Sequence, residues 1–174
     1  MGVTPDAPAR RPRRQGGGSD HPRPAPTDPA LSYAVDVNVL LYASDDSSAF
    51  QRRAREFLSD ATTGTEIMYF AWTTVMAYLR ISTHPGIFRQ PLSPDQAARN
   101  IDELLQRRHV RVLSEEEGFW EVYRTVSQGL TVRGNVVTDA HLAALLRQHG
   151  VTRLYTNDAD FRKFRFLDVR NPFS

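Results

Sequence analysis

The 174-residue chain contains no cysteine. Disulfides, thiolate catalysis and cysteine-bound zinc are thereby excluded. No run of 18 or more apolar residues occurs, so no membrane span is expected. No apolar signal-peptide stretch stands near the start, and a reducing cytoplasm is the expected setting. Lysine is almost missing as well: 21 of the 22 basic residues are arginine, and Lys163 is the exception. We ascribe that bias to genome composition rather than to chemistry.

An excess of one charge is lacking where it would matter. Residues 1–31 hold five Arg and three Asp, which accounts for the whole formal charge of +2. Residues 32–174 hold 17 basic and 17 acidic residues. The folded part therefore has no global nucleic-acid signature, and any such binding must rest on local patches. Segment 1–31 has seven Pro, four Gly and almost no large apolar side chain. It cannot bury enough surface to offset its ordering entropy, and a disordered extension is expected there. Its RRPRR cluster reads as a solvated run. Residues 32–174 are the expected single folded domain.

What is present alternates between short apolar runs and helical periods. The stretch YAVDVNVLLYASDD opens with a strand expected over about 33–41, buried on both faces. A helix follows near 48–60, then a short strand at 67–70 and a helix near 72–83. Ser93 and Pro94 mark the start of the next helix, and VRVL at 110–113 is a further buried strand. Ser114 and Glu117 have the spacing of a capping box for a helix after that strand. NVVTDAHLAALLRQHG is expected to become helical near Thr138 and to stop at Gly150. VTRLYTND and RFLDV supply the last strands. Strands separated by helices point to a parallel sheet covered on both faces.

Three carboxylates occupy comparable places in this pattern. Asp36 interrupts the first apolar run, and Asp158 follows the strand RLYT. Asp139 shares a helical face with Leu142, Ala143 and Leu146, so it is aimed inward. Singly, each has an ordinary reading as a cap, a turn former or a paired buried acid. Together they would repel one another, and a divalent cation would remove that cost. Oxygen-only donors suit Mg²⁺ or Mn²⁺. Asn38, two residues beyond Asp36, is expected on the same strand face, where it could orient the acid.

VDVNVLLYA, LRISTHPGIF, NVVTDAHLAAL and YTNDADFRKF resemble, in that order, the motifs of PIN-domain ribonucleases, and among them the VapC toxins of VapBC toxin–antitoxin pairs. The resemblance covers about residues 33–173. It implies a three-layer α/β/α sandwich with a central, mainly parallel sheet, and metal-dependent cleavage of RNA phosphodiesters. It implies Asp36, Asp139 and Asp158 as catalytic metal ligands with Asp160 close by, and Mg²⁺ or Mn²⁺ as the cofactor. Thr138 and Asn157, flanking two of the acids, are implied as their polar supports. Positioning a substrate needs donors near the acids: Arg80 and Thr83 are the candidates, with a helix C-terminal cation or an ion pair to one of the acids as the ordinary reading of Arg80. It further implies a VapB-type antitoxin, an RNA substrate and a homodimer, with no membrane association. One departure stands out: Ala77 occupies a position where many members carry Glu, and the sequence identifies no substitute; Asp45, Asp46 and Glu66 are candidates only by chain proximity. A catalytically weak or inactive PIN-like RNA- or partner-binding module is therefore the alternative. A dehalogenase-type phosphatase is disfavoured, because Asn38 replaces its second acid.

Overall fold

The computed structural model describes residues 31–174; the expected disorder of the N-terminal segment falls, apart from Leu31, outside the described residues. Among the described residues there are five strands and six α-helices. The strands run in chain order: β1 (Ser32–Val35), β2 (Ile67–Ala71), β3 (Val110–Leu113), β4 (Arg153–Tyr155) and β5 (Asp168–Arg170). They form one sheet of order β3-β2-β1-β4-β5, and every pairing is parallel. Six α-helices join them: α1 (Val37–Ser44), α2 (Gln51–Thr63), α3 (Trp72–Ser82), α4 (Pro94–Leu105), α5 (Phe119–Ser127) and α6 (Asn135–Gln148). A short 3-10 helix spans Ala159–Lys163.

Side chains alternate across the sheet, as strand geometry requires. Tyr33, Val35, Met68 and Phe70 face a core shared with α1–α4. Ala34, Ala71, Leu113 and Leu154 face a second core shared with α6 and the 3-10 helix. The result is the expected three-layer α/β/α sandwich with a parallel sheet.

Three local expectations need correction. The first strand ends at Val35, and the rest of the apolar run is α1. A short run that is apolar at nearly every position cannot by itself separate a buried strand from a buried helix. Segment 114–117 forms no capping box, and α5 starts after Gly118 at φ +78°. That backbone is served from α6 instead: Gln148 accepts from the Glu116 amide and donates to the carbonyls of Glu116 and Glu117. Helix α6 starts at Asn135, a turn earlier than expected, because Gly134 at φ +56° allows a sharp entry. By contrast, Ser93 and Gln96 form the full reciprocal cap at the start of α4.

Phe88 and Phe161 are buried, whereas Trp72 at the start of α3 is 46% exposed. Among the described residues, no helix is long and apolar enough to cross a membrane.

Candidate active site at the carboxyl ends of β1 and β4

The strand order reverses direction between β1 and β4. Chain progress moves outward from β1 through β2 to β3, then returns to place β4 on the other side of β1. The carboxyl ends of the two strands flanking such a reversal leave a crevice where open α/β sheets bind ligands. Asp36 directly follows β1, and Thr156–Asp158 follow β4. The Asp36 amide donates to the Tyr155 carbonyl at 3.0 Å, which extends the ladder to the mouth of the crevice.

Asp36 is the N-cap of α1, with extended backbone, and its Oδ1 accepts from the Val37 amide at 2.7 Å. Its Oδ2 accepts from Asn38 Nδ2 at 2.7 Å and from the Thr156 hydroxyl at 2.8 Å. The second amide hydrogen of Asn38 goes to Thr156 Oγ1 at 2.7 Å, and Asn38 Oδ1 accepts from the Asn157 amide at 3.2 Å. Thr156 Oγ1 also accepts from the Asp158 amide at 2.9 Å. One buried hydroxyl thus ties together Asp36, Asn38 and the chain leading to Asp158. Asn38 contacts Asp36 as expected, but from the first turn of a helix rather than along a strand.

Burial pushes the Asp36 carboxyl up to about 6; hydrogen bonds from Thr156 and Val37 pull it down, and the charges of Asp158 and Asp139 push it further up. Asp139 lies in the second turn of α6, where Leu142, Ala143 and Leu146 of the same face are buried. Its carboxylate accepts from Lys163 Nζ at 2.9 Å. Asp158 is exposed and caps the 3-10 helix, accepting from the Asp160 amide at 2.8 Å. Asp160 is exposed in the first turn of that helix.

The structure separates other expected residues from these acids. The Thr138 hydroxyl donates to the Asn135 carbonyl of its own helix at 2.7 Å. The Asn157 side chain turns toward Tyr42 and Asn171, and only its backbone amide joins the network. The supporting role falls to Thr156, which the sequence reading passed over. Thr83 spends its hydroxyl proton on the Leu79 carbonyl, and Arg80 is exposed in the last turn of α3. Glu66 lies before β2, at the opposite end of the sheet, paired with Arg153 at 2.6 Å. Asp45 ends α1, about 13–14 Å of helix rise from Asp36. Asp46 is engaged by Gln51 and Arg55. None of the three substitutes for a Glu at position 77.

The donor chemistry fits a hard divalent cation. The crevice offers carboxylate oxygens, those of Asp36 raised in proton affinity mainly by burial and further by Asp158 and Asp139. Among the described residues, no three acidic, histidine or cysteine side chains are gathered closely enough to enclose one ion. Of these acids, Asp139 is held by Lys163, and Asp158 caps the 3-10 helix.

Thr156→Val should test the hydroxyl. It removes a donor from Asp36 and an acceptor from Asn38 and the Asp158 amide, at a cost of about 2–3 kcal/mol. Thr156→Ser, which keeps the hydroxyl, should recover most of that in urea melts. Equal stability of the two variants would show that the hydroxyl has no such role.

A family model described as PIN domain matches residues 33–167. Ribonuclease VapC48 of Mycobacterium tuberculosis is 41% identical over 144 residues, which covers 83% of this chain and 99% of the relative. Among solved structures, Mycobacterium tuberculosis VapC20, described as a sarcin-ricin loop cleaving toxin, superposes with a TM-score of 0.58 at 16% identity. That match covers 79% of this chain and 98% of the other. VapBC2 from Rickettsia felis, bound to a DNA fragment from its promoter, superposes with a TM-score of 0.56 at 14% identity, covering 81% and 98%.

Proposed function

This chain belongs to the PIN-domain family, and from that premise we propose that it is a metal-dependent endoribonuclease, the toxin of a toxin–antitoxin pair. The observation that carries the reading is Asp36. A desolvated carboxylate sits at the reversal point of the sheet, with two further acids raising its proton affinity. Asp36 caps α1 and accepts three hydrogen bonds, yet desolvation and the neighbouring acids still weigh against its charged form, a cost that a cation would offset. The ribonuclease name of VapC48 supports the same reading.

Asp36, Asp139 and Asp158 would hold the cation, with Asp160 beside them. Mg²⁺ or Mn²⁺ bound there supplies charge neutralisation at the scissile phosphate and activation of water for in-line attack. Thr156 and Asn38 fix the Asp36 rotamer, so that carboxylate is oriented before any ligand arrives. Arg80, exposed and without an ion pair among the described residues, is available to an RNA phosphate.

The partner reading draws support from VapBC2, solved as a complex. A VapB-type antitoxin is proposed for this chain, together with self-association. Trp72 and Met76, one turn apart on α3, and Trp120 on α5 are exposed apolar side chains that a second copy would cover.

The test is incubation of the purified, antitoxin-free chain with total RNA and Mn²⁺ or Mg²⁺, beside an EDTA control. Discrete products that vanish with EDTA are expected. Ala77 favours the second reading, a binding module without turnover. For the nuclease, Ala77→Glu should lower the Mg²⁺ concentration for half-maximal cleavage several-fold, because one more carboxylate strengthens the donor set. No cleavage by either form, with any metal, would leave the binding module standing.

A further inference from the structure

We propose that Lys163 is the resident counter-cation of the metal-free site, a placeholder that an incoming divalent ion must displace from Asp139. The inference rests on the metal-site reading given above. It starts from an ion pair of 2.9 Å between Lys163 Nζ and Asp139 Oδ2, with both side chains mostly buried at 22% and 17% exposure. The pair bridges two structural units of the crevice, α6 and the 3-10 helix. That helix presents Asp158 at one end and Lys163 at the other, so an acid of the site and the cation that opposes it move as one piece.

The geometry separates a placeholder from a fixed clamp. Lys163 engages a single oxygen, and no hydrogen bond reaches Asp139 Oδ1 among the described residues. In the same position its ammonium lies 5.4 Å from the centre of the Phe164 ring. A lysine is a point charge on a flexible four-carbon stem, suited to exchange between partners; a guanidinium at the same place would grip both oxygens. In a chain that otherwise uses arginine throughout, this position carries the only lysine.

The electrostatics fix the sign. A monovalent cation beside Asp139 offsets part of the repulsion among the acids, which stabilises the metal-free fold. The same charge repels a divalent ion a few ångströms away, so Lys163 raises the ion concentration at which the site loads.

The full chain and its Lys163→Met and Lys163→Arg variants test this, by calorimetric titration with Mn²⁺ and by melting in EDTA. Lys163→Met keeps the stem and removes the charge. It should bind Mn²⁺ about tenfold more tightly than the parent and melt lower in EDTA. Lys163→Arg should bind Mn²⁺ no more tightly than the parent. Equal or weaker Mn²⁺ binding by Lys163→Met would overturn the proposal and make Lys163 a clamp that positions Asp139. Tight binding by Lys163→Met with none by the parent would support it in its strongest form. No Mn²⁺ binding by any form would overturn the metal-site reading itself, and this inference with it. If Lys163→Met does not fold, Lys163→Gln carries the same comparison.

Discussion

Asp36→Asn should abolish RNA cleavage, by at least about a thousandfold, and leave the fold in place. Groups that only support a metal ligand typically contribute about 10–100-fold, so a ligand itself should contribute more. Asparagine keeps the shape of the side chain and remains a good N-cap for α1. With its oxygen kept on the Val37 amide, its NH2 group faces the two donors that reach Oδ2, from Asn38 and Thr156. Removal of a desolvated charge offsets that loss. The far-ultraviolet circular dichroism spectrum should therefore match the parent while cleavage disappears. Asp36→Ala serves as the contrast: it leaves the Asn38 and Thr156 donors unpaired and should cost about 2–3 kcal/mol. Cleavage by Asp36→Asn at a tenth of the parental rate or more would place the reaction elsewhere in the molecule.

The second large effect concerns pH. In the unfolded chain an Asp titrates near 3.8; in the fold, burial carries Asp36 up to about 6. Between those values the folded state holds a proton that the unfolded state has released. The Asp36 contribution to metal-free stability therefore falls as pH rises from about 4 to about 6 and levels off above. A shift of that size corresponds to about 3 kcal/mol, or on the order of 10 °C in melting temperature. With Mn²⁺ present the sign reverses, because a ligand must shed its proton to bind, and bound metal stabilises the fold by mass action. The gap between melting temperatures with Mn²⁺ and with EDTA should widen from pH 5 to pH 7. Asp36→Asn should remove both the EDTA slope and the Mn²⁺ gap. A gap of constant width across that range would mean that Asp36 does not face the ion.

Much of this was legible in the chain, and the limits have physical causes. The alternation of strands and helices, with polar caps such as Ser93, identified the parallel sandwich. The i, i+3, i+4, i+7 series placed Asp139 on the buried side of α6. The end of β1 could not be read, because VDVNVLL satisfies a strand and a buried helix equally. Thr156 was passed over for a different reason. In YTND it looks like an ordinary strand-end residue, and its neighbour Asn157 carries more polar atoms. Its role depends on β4 lying beside β1, a pairing between positions 120 residues apart that no local pattern encodes. The Lys163–Asp139 pair was hidden likewise, because it joins two separate segments around the crevice.

That long-range pairing has a consequence for synthesis. Strands β1, β2 and β3 emerge first and can pair among themselves, but β4 and β5 must add to the free edge of β1 afterwards. Asp139, Thr156 and Asp158 all arrive with the late half, and Phe173 completes the first core against Tyr42 and Phe50. A nascent chain that has extended no further than β3 therefore carries Asp36 without its companions. Any reaction that needs these acids together waits for β4 to pair with β1, long after Asp36 itself has been made.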